Sequence, residues 1–262
     1  MTHAEHQSRS GLGRQIATLV AIVGTLVTNL LSNFFPIGGM NIGEIANTLL
    51  DEVLIIPANY AFAIWGLIYL GLIAFGIYQL APQRRQDAVL RQVDWLLIVA
   101  CVMQIFWVLL FQLKLFGWSV LLMAGILIPL ALIRLRLHQG REYVSRQERW
   151  FVFTPMSVYL GWISVASIVN VAAALYSAGW TGGGLSDQIW TVLMMGIAVA
   201  IAVILLFHLG DLAFPLVIVW ALVAIAIRHG QIPLIWQTAL ALAIALLVVD
   251  AIAWRWLKIP HR

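Results

Sequence analysis

Of the 262 residues, 63% are hydrophobic and 10% charged, and the mean hydropathy is +0.97; so much apolar surface with so little polar cover excludes a water-soluble domain and leaves an integral membrane protein. The pI near 9.6 does not point to nucleic acid, because the basic residues stand in short runs between apolar stretches, as loops facing an anionic inner leaflet do. A single cysteine, Cys101, inside an apolar run excludes an internal disulfide and any CxxC redox or metal motif.

Crossing about 30 Å of hydrocarbon takes roughly 20 apolar residues. Eight runs qualify, near residues 15–35, 57–81, 94–113, 115–137, 150–177, 188–208, 212–229 and 234–257. Since a helix satisfies its own backbone in lipid, the fold class is all-α, a polytopic membrane bundle of about eight transmembrane helices. Residues 1–14 read as a cytoplasmic tail. The first run follows Arg9 and Arg14 as a signal peptide would, but it is long and lacks a small-residue cleavage site before Phe34, Phe35 and Pro36, so it is expected to be retained.

The loop from Gly38 to Ile56 carries Glu44, Asp51 and Glu52 with no basic residue; it is either a solvated loop or a lid over the bundle. The second run opens at Pro57, where a helix can start without wasting a donor. Trp65 and Tyr69, four residues apart, share a face. Trp65 lies roughly 12 Å inside its run at 1.5 Å per residue, deep for an interfacial anchor. In the third run Gln104, Trp107 and Phe111 recur at i, i+3 and i+7. Lys114 marks a tight joint to the fourth run.

The fifth run contains VYLGWISVASIVN, in which Tyr159, Trp162, Ala166 and Asn170 fall within about a quarter of the helix circumference. Two readings fit. Ser164, Ser167 and Asn170 could serve as glue between helices, at about 0.6 kcal/mol per bond, or the face could line a site. The turn GWTGGGLSDQ, from Gly179, separates these five runs from the last three. There His208 and Asp211 lie at a joint and Asp250 lies near Arg255, while Trp190 and Trp236 stand near outer ends where belt anchoring is the default. His3, His6, His138, His229 and His261 are scattered, so no metal or heme-ligating face is expected.

If the N-terminus is cytoplasmic, 13 of the 15 Lys and Arg residues fall on that side and only Lys114 and Arg228 outside. The positive-inside rule therefore places both termini in the cytoplasm.

These residues resemble the TspO and translocator protein family, the tryptophan-rich sensory proteins also known as peripheral benzodiazepine receptors. Its second-helix pattern P-x7-W-x3-Y is similar to Pro57, Trp65 and Tyr69. Its third-helix N-x2-W resembles Gln104 with Trp107, and its fifth-helix Y-L-x-W with A-T-x-L-N resembles Tyr159, Leu160, Trp162, Ala166, Ser167 and Asn170. Two positions depart: Pro155 stands four residues before Tyr159 instead of next to it, and Asn59 replaces a bulky aromatic. The resemblance implies a five-helix core over 15–177, extended by three C-terminal helices over 178–262 as in a longer bacterial branch. It implies an inner-membrane receptor or carrier whose ligand-binding residues are Pro57, Trp65, Tyr69, Gln104, Trp107, Phe111, Tyr159, Trp162, Ala166 and Asn170. The ligand it implies is a porphyrin or other flat hydrophobic molecule, with no required cofactor and no metal, and the role is sensory, in stress or pigment homeostasis. The partners expected are membrane lipids and that small molecule, with no nucleic acid; a homodimer or a membrane complex would add a further partner. Two alternatives stand beside this reading: a light-dependent porphyrin-degrading enzyme in which Trp65 and Trp162 act catalytically, and an accessory subunit of a membrane complex.

Overall fold

The computed structural model describes residues 3–139 and 144–257, and among these there is no β-strand. Helix α1 (His3–Phe34) is already helical through the stretch expected as a tail, and its apolar part is Gly11–Phe34. A short helix, α2 (Ile42–Thr48), interrupts the first loop. Helix α3 (Ile64–Gln79) is entered through a 3-10 turn, Asn59–Ala63, whose N-cap is Ala58. Pro57 therefore stands before the helix and not at its first position, as the sequence had suggested.

Helix α4 (Ala88–Gln112) begins earlier than its apolar run because the Asp87 carboxylate accepts the N–H groups of Val89 (2.9 Å) and Leu90 (3.1 Å). That cap carries Asp94 inside the helix. Lys114, in the left-handed region at φ 61°, turns the chain into α5 (Phe116–Gln139). A Ser145–Glu148 capping box starts α6 (Arg146–Glu148). One π turn, Arg149–Phe153, leads from it into α7 (Thr154–Ser177). Then follow α8 (Asp187–Leu209), stopped at Gly210 with φ 61°, α9 (Ala213–Arg228) and α10 (Pro233–Leu257).

Among the described residues, seven helices are long and apolar enough to cross a membrane, from Gly11–Phe34 to Pro233–Arg255. The eighth expected span is α9, only 16 residues, about 24 Å at 1.5 Å per residue. It is short but well covered: Phe214, Ile218, Leu222 and Ile225 are all 3% exposed or less.

The helices group into two compact units, Met1–Ile42 with Trp65–Tyr159, and Gly43–Ile64 with Leu160–Arg262. These are not the stretches on either side of the Gly179 turn, since α7 contributes to both. In the first unit α4 packs against α1 and α5. A Cβ on Gly71 would lie 3.1 Å from that of Pro155, so this proline meets a residue without a side chain. In the second unit α9 packs against α8, α10 and the Asn59–Ala63 turn.

Candidate functional site

The first unit brings four of the expected residues together. The Trp65 ring stacks on Tyr69 at 5.7 Å and 25°, as their spacing of four on α3 requires. Trp65 also meets the ring of Tyr159, at the start of α7, edge-on at 6.2 Å and 66°. Between the two phenols lies Gln104 of α4. Its Nε2 donates to the Tyr69 hydroxyl at 2.9 Å, and its Oε1 accepts from the Tyr159 hydroxyl. Gln104 and Tyr159 are fully buried and Tyr69 nearly so. Three helices thus converge on one amide, and an indole covers the phenols.

Trp107 and Phe111 form a separate cluster further along α4. Their rings lie 5.2 Å apart, and Phe111 meets Phe116 of α5 at 5.0 Å. Both are almost completely buried.

The remaining expected residues belong to the second unit. Trp162 packs edge-on against Phe62 at 6.0 Å and 85° and is buried. Asn170 is buried, while Ala166 is half-buried. Ser164 and Ser167 bond within their own helix. Their hydroxyls donate to the carbonyls of Leu160 (2.8 Å) and Ile163 (2.7 Å), one turn back on α7. Pro57 presents its carbonyl to Arg228 at 3.5 Å. A small cavity of about 20 Å³, lined only by apolar side chains including Ile55, Val165, Met194 and Ile218, lies in this unit; it has room for about one water-sized molecule and is far below the usual size of a ligand pocket.

The segment between α1 and the 3-10 turn is not a solvated loop. Ile45, Leu50 and Ile56 are buried, and Arg228 holds the segment through Asn47 Oδ1 (2.8 Å) and the Ala46 carbonyl (3.0 Å). The Ala58 N–H reaches the Ala224 carbonyl at 3.1 Å, and Tyr176 donates to Glu52 at 2.9 Å. His229 Nε2 lies 3.3 Å from the Ile56 carbonyl. Burial pushes the His229 pKa below its ordinary value of 6.5, and neighbouring Arg228 acts in the same direction.

Several buried polar groups escaped sequence reasoning. Arg14 and Asp94 form an ion pair at 2.8 Å with side-chain exposures of 7% and 1%, and Arg14 also donates to the Arg85 carbonyl at 3.0 Å. Gln15 and Gln79 exchange side-chain-to-carbonyl bonds, and Gln112 donates to the Ser32 carbonyl. The signal was present, since a carboxylate at the head of the third apolar run needs a partner. Asp211, just before α9, and Asp250, within α10, were both singled out in the sequence and are buried as well. Among the described residues, no three of His, Cys, Asp and Glu gather as a metal site would need.

A family model described as TSPO-like protein matches residues 15–252, a stretch that takes in α8, α9 and most of α10 together with the preceding helices. No curated protein and no solved structure matches the chain.

Proposed function

Because the chain belongs to the TSPO-like family and is a membrane protein of apolar helices, we propose that it is a receptor or carrier for tetrapyrroles or other flat hydrophobic ligands in the bacterial inner membrane, with a sensory role in stress or pigment homeostasis. The observation that carries this reading is the cluster of Trp65, Tyr69, Gln104 and Tyr159. A Tyr–Gln–Tyr chain cannot satisfy itself. One phenol donates to the amide oxygen, the other accepts from the amide nitrogen, and the second keeps its own proton spare whichever way the amide is turned. As placed, that phenol is Tyr69, and its proton meets no acceptor among the described residues. A buried donor left without an acceptor costs roughly 1–3 kcal/mol. A ligand oxygen, such as a porphyrin carboxylate, would recover that cost while its ring system stacks on the indole, at about 0.5–1.5 kcal/mol per aromatic pair.

The test is a fluorescence-quenching titration of the purified protein with protoporphyrin. Trp65→Phe and Tyr69→Phe should keep the fold and weaken binding, by tenfold for each 1.4 kcal/mol lost. Trp190→Phe should leave affinity alone, since that indole packs on Trp180 at 5.3 Å and donates to the Gly182 carbonyl at 2.7 Å. Bleaching of bound porphyrin under light would assign the degrading activity instead. If the parent binds no porphyrin, the ligand reading fails and an accessory subunit becomes the better account.

A further inference from the structure

Two helical segments of the first unit carry the same short pattern at or near their start, Arg-Gln-x-x-Trp. It reads Arg91-Gln92-Val93-Asp94-Trp95 in α4 and Arg146-Gln147-Glu148-Arg149-Trp150 in α6 and the π turn that follows. Both arginines are exposed, and so are both indoles, Trp95 at 57% and Trp150 at 61%. Four residues are about one helical turn, roughly 6 Å of rise, so each guanidinium stands on the side of its tryptophan toward the helix start. The acids inside the two patterns do not neutralise them. Asp94 is turned inward onto Arg14 at 2.8 Å, and Glu148 closes the Ser145 capping box. Arg91, Arg146 and Arg149 make no side-chain hydrogen bond or ion pair among the described residues.

The two patterns lie at one end of the unit. Tyr78, at the end of α3, stacks on Phe151 at 5.4 Å, and Arg84 lies over the Tyr78 ring at 3.7 Å. Arg14 bridges Asp94 and the Arg85 carbonyl. The cations of this end are arginines; the chain's two lysines are Lys114 and Lys258. That composition matters, because a guanidinium presents paired donors that match phosphate oxygens, whereas an ammonium is a point charge. Indoles settle at the level of lipid headgroups. An arginine one turn outward from such an indole stands at the depth of the phosphates.

We propose that the Arg91–Trp95 and Arg146–Trp150 pairs form a binding surface for anionic phospholipid headgroups, the arginines donating to phosphate oxygens and the tryptophans seated beside the acyl chains. The surface is independent of any porphyrin site.

The full chain would be reconstituted in nanodiscs of phosphatidylcholine with and without phosphatidylglycerol, and the lipids it retains counted by native mass spectrometry. The parent should retain phosphatidylglycerol in preference to phosphatidylcholine. The double variant Arg91→Gln, Arg146→Gln should bind it about 25-fold more weakly, from about 1 kcal/mol per basic residue at an anionic surface. Arg91→Lys with Arg146→Lys should fall between the two, and Lys114→Gln should match the parent. Equal retention of the two lipids by the parent, or retention by the glutamine variant equal to the parent's, overturns the proposal. Displacement of the lipid by inorganic phosphate also overturns it, since a free anion would then be the ligand. If the glutamine variant loses helicity, the lysine pair decides: binding equal to the parent's refutes the guanidinium–phosphate contact.

Discussion

Asp94 is held inside α4 by Arg14, and the pair is worth more as a constraint than as a source of stability. Taking two charges out of water costs nearly what their attraction returns, but stranding one of them is expensive, about 3–5 kcal/mol. Asp94→Asn or Arg14→Met should therefore lower the thermal midpoint of helicity in detergent sharply, and the double variant Arg14→Met, Asp94→Leu should restore most of it. A double variant as unstable as the sum of the singles would refute the pairing. His229 gives a second expectation. Its folded pKa lies below 6.5, so the unfolded chain binds a proton first as pH falls. Stability is full above about pH 6.5 and is lost as the pH drops through the depressed folded value. His229→Asn should flatten that part of the stability–pH curve. At this scale the i, i+4 pairing of Trp65 with Tyr69 was legible, because it needs only one helix. The clasp of Gln104 by two tyrosines was not, because it joins residues 35 and 55 positions away.

Among elements, the segment between α1 and the 3-10 turn departs furthest from expectation. Its acidic, glycine-containing sequence gives no periodic signal, yet Ile45, Leu50 and Ile56 pack inward and α9 supplies the anchor. Arg228, read from the sequence only as a charge on the outer side, donates to Asn47 and to two backbone carbonyls. Hydrogen bonds to a charged group are worth about 1.5–3 kcal/mol. Arg228→Ala should therefore speed amide exchange over residues 45–57 by roughly ten- to a hundredfold, with little change in the core of α9. Unaltered exchange would show that apolar packing alone holds the segment. The caps on α4 and α6 were not singled out in the sequence, although Asp87 and the Ser145–Glu148 pair act on their own helix. Both move a helix start outward from the first apolar residue, and that shift put Asp94 inside a helix.

For the molecule as a whole, the charge asymmetry predicts that both termini face the cytoplasm. With Cys101→Ala as background, a single cysteine at position 262 should resist an impermeant maleimide in intact cells, and one at Lys114 should react; the reverse pattern would invert the topology. Of the residues behind that count, Arg141, Lys258 and Arg262 lie outside the described residues. By itself the sequence determined that the chain lives in lipid, that it is all helix, where most spans run, and the family to which it belongs. Hydropathy and helical spacing act within one segment and need no knowledge of neighbours. Tertiary structure alone decided that α9 falls short of a full span yet is well covered, that the compact units cut across α7 instead of ending at the Gly179 turn, and that Arg14 meets Asp94. Each of these depends on which distant side chain fills a given space. Local propensity carries no term for that.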